Sequence, residues 1–254
     1  MSFPACARFF VSHSTMAAPN HLYQYSLISC LAQGLCGDGI PISQMLAHGD
    51  HGLGTLASLD GEVIIINGKA FQYTSDGSTR VLAHSEITAF LMVTFFQPTR
   101  SVQLRTLTHH TLMDEMSTLF PSTSNHFWAI KIDAHFERIE YRVAPRQNYR
   151  GEGLAEVTKR QRLGSFTQRR GTIFGFYSPC FTSAFSVVGL HLHFIAEDTK
   201  VGGHVLGFKA QEVSLQGAVV KEYQVQLPET EEFQSELVVE PDRDMIMTAE
   251  GWSR

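Results

Sequence analysis

Three histidines fall within the segment GLHLHFIAEDTKVGGH, residues 189–204, and the first two are separated by a single leucine. Side chains alternate faces along a β-strand. A strand here projects His191 and His193 from one face and Leu190, Leu192 and Phe194 from the other. The Glu-Asp-Thr-Lys run followed by Val201, Gly202 and Gly203 reads as a turn, with His204 opening the returning strand. Closing that hairpin brings the third imidazole back towards the first two. Three neutral imidazoles converging on one point are the ligand set of an open zinc site, whose fourth position is left for water or substrate. A His-x-His pair alone says less, because with twelve histidines in 254 residues one such pair can arise by chance and lie solvated. The third histidine at hairpin distance and the Gly-Gly step favour the metal.

The elements around this hairpin are mostly strands. Residues 23–35 carry apolar residues at helical spacing before the glycines at 37 and 39, and residues 41–48 read as a short helix entered through proline. From Gly49 the Leu-Asp-Gly, Asn-Gly and Asp-Gly steps, with Val63 to Ile66 apolar and β-branched, predict a hairpin or meander. Thr88 to Gln97 is a buried strand ending at Pro98, and Leu107 to Phe120 is an amphipathic helix. Phe127 to Val143 reads as a strand pair broken near Ala134-His135. The polar stretch 144–168 contains a short helix at 154–161. Strands at 171–177, 184–195, 204–213 and 222–227 precede a helical turn near 231–237 and the tail MTAEGWSR. The class is therefore α+β, with two sheet-dominated subdomains of mixed or antiparallel strands and a few flanking helices. The expected division is an N-terminal extension over 1–20, a β-rich subdomain with helices over 21–165, and a metal-binding β subdomain with the tail over 166–254.

Hydrophobic residues are 43% and charged residues 18%, which suits a folded globular chain rather than a disordered one. A formal charge of -5 argues against a nucleic-acid-binding surface. No apolar run approaches the roughly 18 residues that span a bilayer. Cys6, Cys30, Cys36 and Cys180 show no CxxC spacing and are expected to stay thiols in a reducing compartment, with Cys30 and Cys180 as small core residues. A cytoplasmic location follows as the expectation, with no membrane and no nucleic-acid partner.

Four separated strings carry a wider likeness: HGDHGLGTLASLDGE at 48–62, FWAIKID at 127–133, RRGTIFGF at 169–176 and GLHLHFIAEDTKVGGHVLGF at 189–208. With these, residues 21–254 resemble the acetolactate decarboxylases. The resemblance implies a zinc-dependent enzyme, usually a homodimer, that converts 2-acetolactate to acetoin and carbon dioxide. It implies that His191, His193 and His204 hold the metal, that Glu62, Arg142 and Glu250 are catalytic, and that Thr55 lies near the substrate. His51 departs from the aromatic or apolar residue expected in this motif. Taken without the resemblance, Glu62 is a strand residue after a turn, Arg142 one exposed member of an alternating strand, and Glu250 a charged tail residue.

The implied chemistry suits these residue types. Loss of carbon dioxide from a β-keto acid leaves an electron pair on the neighbouring carbonyl, and a metal ion is a Lewis acid for that charge. Neutral imidazoles keep the ion's full charge, and outer carboxylates or carbonyls should orient their second nitrogens. Arginine's planar fork suits the substrate carboxylate, so Arg142 is the expected holder. Glu62 is the expected proton donor, with Glu250 covering the site from the tail as a second acid or a metal contact. Two other functions fit parts of the pattern. A zinc hydrolase of lactones or cyclic amides can use the same three histidines, but a neutral substrate has no need of Arg142. A non-catalytic, DNA-associated relative carrying the His-x-His and Gly-Gly-His hairpin lacks counterparts of Glu62, Arg142 and the tail glutamate.

Overall fold

The stretch from His51 to Val81 folds, as its Asp-Gly and Asn-Gly steps predict, into an antiparallel meander. Positive φ at both Asn67 (51°) and Gly68 (74°) gives the two-residue turn whose twist matches a hairpin. The computed structural model describes residues 18–123, 125–242 and 246. Along the chain run β1 (Leu22–Tyr25), α1 (Ile28–Gln33), β2 (Ile40–Pro41), α2 (Ile42–Leu46), β3 (His51–Leu56), β4 (Glu62–Ile66), β5 (Lys69–Tyr73) and β6 (Thr79–Val81). Then come β7 (Ile87–Thr94), β8 (Arg100–Thr108), α3 (Leu112–Leu119), β9 (Phe127–Val143), α4 (Leu154–Thr158) and β10 (Arg162–Ser178). The last elements among the described residues are β11 (Gly189–Ala196), β12 (Gly202–Val220), β13 (Tyr223–Gln226) and α5 (Glu231–Ser235).

Two sheets result, which gives the strand-dominated α+β architecture that the pattern predicts. One has the order β13-β1-β7-β3-β4-β5-β6 with β2 beside β7; the other has the order β11-β10-β9-β12-β8. In the second sheet β11 also pairs with β12, so β9 to β12 form a closed circuit of pairings. Ile64, Phe90 and Met92 of the first sheet share one buried cluster with Ala129, Phe174 and Phe176 of the second. Each such Ile, Phe or Met side chain taken out of water stabilises the fold by about 1.5–3 kcal/mol. This shared layer holds the two sheets face to face. Among the described residues no helix is long and apolar enough to cross a membrane.

Several expectations are corrected. Residues 22–25 are a strand rather than the start of a helix, and α1 ends at Gly34, whose φ of 79° closes it in a left-handed cap. Gln24, inside β1, is fully buried because its amide donates to the carbonyls of Ser26 and Phe185. Residues 127–143 are one continuous strand. A bulge against β12 places Glu137 as the extra residue and shifts the alternation between Phe136 and Ile139, which imitates a break. Residues 100–108 form β8, and the helix after it begins only at Leu112. Position 165, where the sequence places a division, lies inside β10, and β8 and β9 belong to the same sheet as the histidine hairpin. Cys30 is buried as expected, but Cys180 is exposed in the short turn after Pro179, and Cys36 takes the second core position.

Candidate active and metal site

The β11–β12 hairpin forms with His193 directly opposite His204. His204 in turn pairs with Arg142 on β9, so His193, His204 and Arg142 stand side by side across three strands. The turn itself occupies residues 197–201. Gly202 and Gly203, read in the sequence as turn residues, already belong to β12. Their role is close approach. A Cβ on Gly202 would meet the ring of Tyr73 at 2.4 Å, and one on Gly203 would meet the Arg142 carbonyl at 2.6 Å.

The three imidazoles converge. Their ring centroids are 5.3, 5.2 and 5.4 Å apart, and one nitrogen from each lies within 4.8 Å of the other two. All three side chains are buried. Burial drives the pKa of His191 well below its usual value, with His193 and Arg142 adding to the effect. Burial also lowers His193, against the opposing pull of Glu62 and of its hydrogen bond to Val63. Both rings are thus held in the neutral form that ligates metals. His193 Nδ1 donates to the Val63 carbonyl at 2.8 Å, which fixes the ring and turns Nε2 inward. The donor set fits a divalent ion of borderline softness.

The first sheet supplies the opposing wall through β4. Glu62 is buried at its start, where Oε1 accepts from Arg142 Nη1 at 2.8 Å and from the Ala144 backbone N–H at 3.1 Å. Its other oxygen, Oε2, lies 3.4 Å from His193 Nε2. Thr55 on β3 is buried, and its hydroxyl donates to the Gly61 carbonyl at 2.7 Å, bracing the turn that delivers Glu62. Ser58 and Leu59 in that turn both have positive φ, 63° and 57°, and the backbone is held there by Ser58 N–H donating to the Cys36 carbonyl and Gln147 N–H donating to the Ser58 carbonyl.

Thr55, Glu62, Arg142, His191 and His193 line one cavity that opens to solvent. Its apolar side comes from Ile28, Leu31, Leu59, Phe90, Leu154 and Val187. Five of the residues singled out in the sequence therefore share a cavity, and His204 completes the triad beside it. Glu250 lies outside the described residues. His51 is buried with its ring 5.5 Å from Phe96 and 5.1 Å from Phe174.

Sequence reasoning missed the Val63 carbonyl, the apolar wall and Tyr73. The Asn-Gly turn held the clue to the last: pairing Ile66 with Lys69 forces Glu62 opposite Tyr73.

A family model described as alpha-acetolactate decarboxylase matches residues 22–239. The alpha-acetolactate decarboxylase of Brevibacillus brevis is 36% identical over 217 residues, covering 85% of this chain and 76% of that protein. That of Bacillus subtilis strain 168 is 31% identical over 236 residues and 91% of each chain. The crystal structure of the alpha-acetolactate decarboxylase from the same strain superposes with a TM-score of 0.87 at 30% identity, covering 91% of this chain and 99% of the other. The chain belongs to the alpha-acetolactate decarboxylase family and is an enzyme of the carboxy-lyase class.

Proposed function

We propose that the chain catalyses the zinc-dependent decarboxylation of 2-acetolactate to acetoin and carbon dioxide, as a homodimer in the cytoplasm. The observation that carries this reading is the meeting, at one cavity, of the histidine triad from the second sheet and the Glu62 carboxylate of the first, bridged by Arg142. Family membership supports the substrate class, a small 2-hydroxy-3-oxo acid. The donor set supports zinc.

His191, His193 and His204 would hold the ion, which when bound supplies a Lewis acid for the charge that builds on the substrate's ketone oxygen. Arg142 holds the substrate carboxylate at the cavity wall and orients the bond to be broken. As carbon dioxide leaves, the bonding pair moves into the former ketone and an enediolate forms. Glu62, a carboxylate in its pair with Arg142, takes up a proton from solvent, and Oε2 passes it to the carbon that lost carbon dioxide, which gives acetoin and restores the carboxylate. Leu31, Leu59, Leu154 and Val187 pack against the substrate's alkyl groups and keep bulk water from the carbanionic carbon. Glu250 would cover the site from the tail, as a second acid or a metal contact. Thr55 keeps the Glu62 turn in place through Gly61 and lines the cavity near the substrate.

The test is incubation of the zinc-loaded protein with racemic acetolactate while acetoin and carbon dioxide are followed. Stoichiometric release of both is expected. No turnover with zinc bound would end the proposal.

A further inference from the structure

Tyr73 contributes nothing to the cavity lining, yet it is one of the most enclosed polar side chains near the site. It ends β5 and pairs directly with Glu62 at the start of β4. Its ring is buried, and its hydroxyl donates to the carbonyl of Thr199 at 3.0 Å. Thr199 lies at the tip of the turn that joins β11 to β12, in the left-handed region with φ 58°. That turn is closed internally by Thr199 N–H donating to the Ala196 carbonyl and Ala196 N–H donating to the Val201 carbonyl, both at 2.8 Å. The turn therefore moves as a unit with the strands that carry His193 and His204.

We propose that Tyr73 is a positioning residue that keys the histidine hairpin to the strand carrying Glu62. The contacts make a closed circuit. Glu62 pairs with Tyr73, Tyr73 holds the hairpin tip, the hairpin carries His193, and His193 returns to β4 through the Val63 carbonyl and faces Glu62 at 3.4 Å. The Val63 contact fixes the hairpin at the level of the ligands, and Tyr73 fixes it at the tip. β11 and β12 are carried by their ladders to β10 and β9, and these two contacts fix that part of the sheet against β4 and β5 at two levels rather than one. Ligand and acid groups need placement within about 0.5 Å to act together. Gly202 belongs to the same device, because the bare backbone lets the phenol ring approach β12 where a Cβ would meet it at 2.4 Å. Burial also pushes the Tyr73 phenol well above its usual pKa, so it remains a donor throughout the working range.

The inference rests on the triad being the metal site, so its test has one readout with metal and one without. Tyr73→Phe keeps the ring and removes the hydroxyl. Ile130→Val, in the buried cluster inside the second sheet, serves as a control of comparable stability loss. In the metal-free protein, Tyr73→Phe should speed amide exchange at residues 196–201 by about five- to tenfold, the factor expected for one lost hydrogen bond. Exchange in β9 should not change. In the zinc-loaded protein, transfer of zinc to a chelator should be several-fold faster in Tyr73→Phe and unchanged in Ile130→Val. Unchanged exchange at 196–201 would overturn the assignment, as would equal acceleration of zinc release in the control. If the wild-type chain takes up no zinc, the metal reading falls, and the exchange experiment still decides the role of Tyr73. Gly202→Ala should reproduce the Tyr73→Phe exchange pattern, and the double variant should add little to either, because both act on one contact.

Discussion

Arg142 Nη1 lies 2.8 Å from Glu62 Oε1, and this buried ion pair joins the second sheet to the first at the wall of the cavity. Removing one partner of such a pair leaves an uncompensated charge in a place water barely reaches, at a cost of about 3–5 kcal/mol. The pair therefore sets the distance between sheets as well as the chemistry. Glu62→Ala should unfold at markedly lower urea concentration than the wild type.

Glu62→Gln separates the two roles, since the amide keeps the shape and still accepts from Arg142 and the Ala144 N–H. It should retain bound zinc while turnover falls by about 10²- to 10⁴-fold, the usual worth of a positioned acid–base group. His193→Ala should do the reverse in order of cause: metal is lost first, and activity with it. Metal content by elemental analysis beside acetoin formation reads both. Full activity in Glu62→Gln would remove Glu62 as the proton carrier.

Gly203 gives a prediction that its place in a turn would not. It lies in β12 next to His204, where a Cβ would come within 2.6 Å of the Arg142 carbonyl and 2.8 Å of Tyr141 Cδ2. Relief requires β12 to move away from β9, which carries His204 out of the triad. Gly203→Ala should therefore weaken zinc binding by at least an order of magnitude while far-ultraviolet circular dichroism remains β-rich. Wild-type affinity in this variant would show that the backbone contact has slack.

The histidine hairpin was legible in the sequence because strand alternation and the spacing to His204 are local properties. The same is true of the meander, whose Asn67-Gly68 turn dictates its own register. What could not be read is what depends on a partner strand. The β9 bulge at Glu137 exists only against β12, so from one strand it looks like a break. β1 is a strand because it inserts between β7 and β13, and β13 arrives about 200 residues later in the chain. The site shows the same division. Its ligands are spaced along one hairpin, whereas Val63 reaches His193 through a carbonyl, a group that every residue has and that no side-chain pattern marks.

His51 makes the fold's response to acid testable away from the metal ligands. Burial lowers its pKa below the ordinary value of 6.5, although Asp50 beside it pulls the other way. The unfolded chain therefore binds a proton at this position that the folded chain resists. The contribution to stability is complete above pH 6.5 and is lost as the pH falls from there towards the folded-state pKa. His51→Phe supplies an aromatic ring between Phe96 and Phe174 and removes the titration. Urea midpoints at pH 7.5 and 5.5 should differ less in this variant than in the wild type. An equal difference would place the acid sensitivity elsewhere.

The C-terminal segment offers a way to separate catalysis from folding. Gln33 on α1 donates through its amide to the Leu237 carbonyl at 3.1 Å and accepts from Val239 N–H at 2.8 Å, which ties the chain after α5 to the helix that lines the cavity with Ile28 and Leu31. Ile246 is buried in the cluster that contains those same two residues. A chain ending at Ile246 keeps these anchors and loses MTAEGWSR, and with it Glu250. If Glu250 serves the site, as an acid or a metal contact, this truncation should leave the urea midpoint near that of the full chain while reducing turnover by at least tenfold, and Glu250→Gln in the full chain should reproduce most of the loss. Deleting from residue 237 onwards removes the anchors as well and should lower both. Full turnover in the chain ending at 246 would leave Glu250 without a part in the reaction.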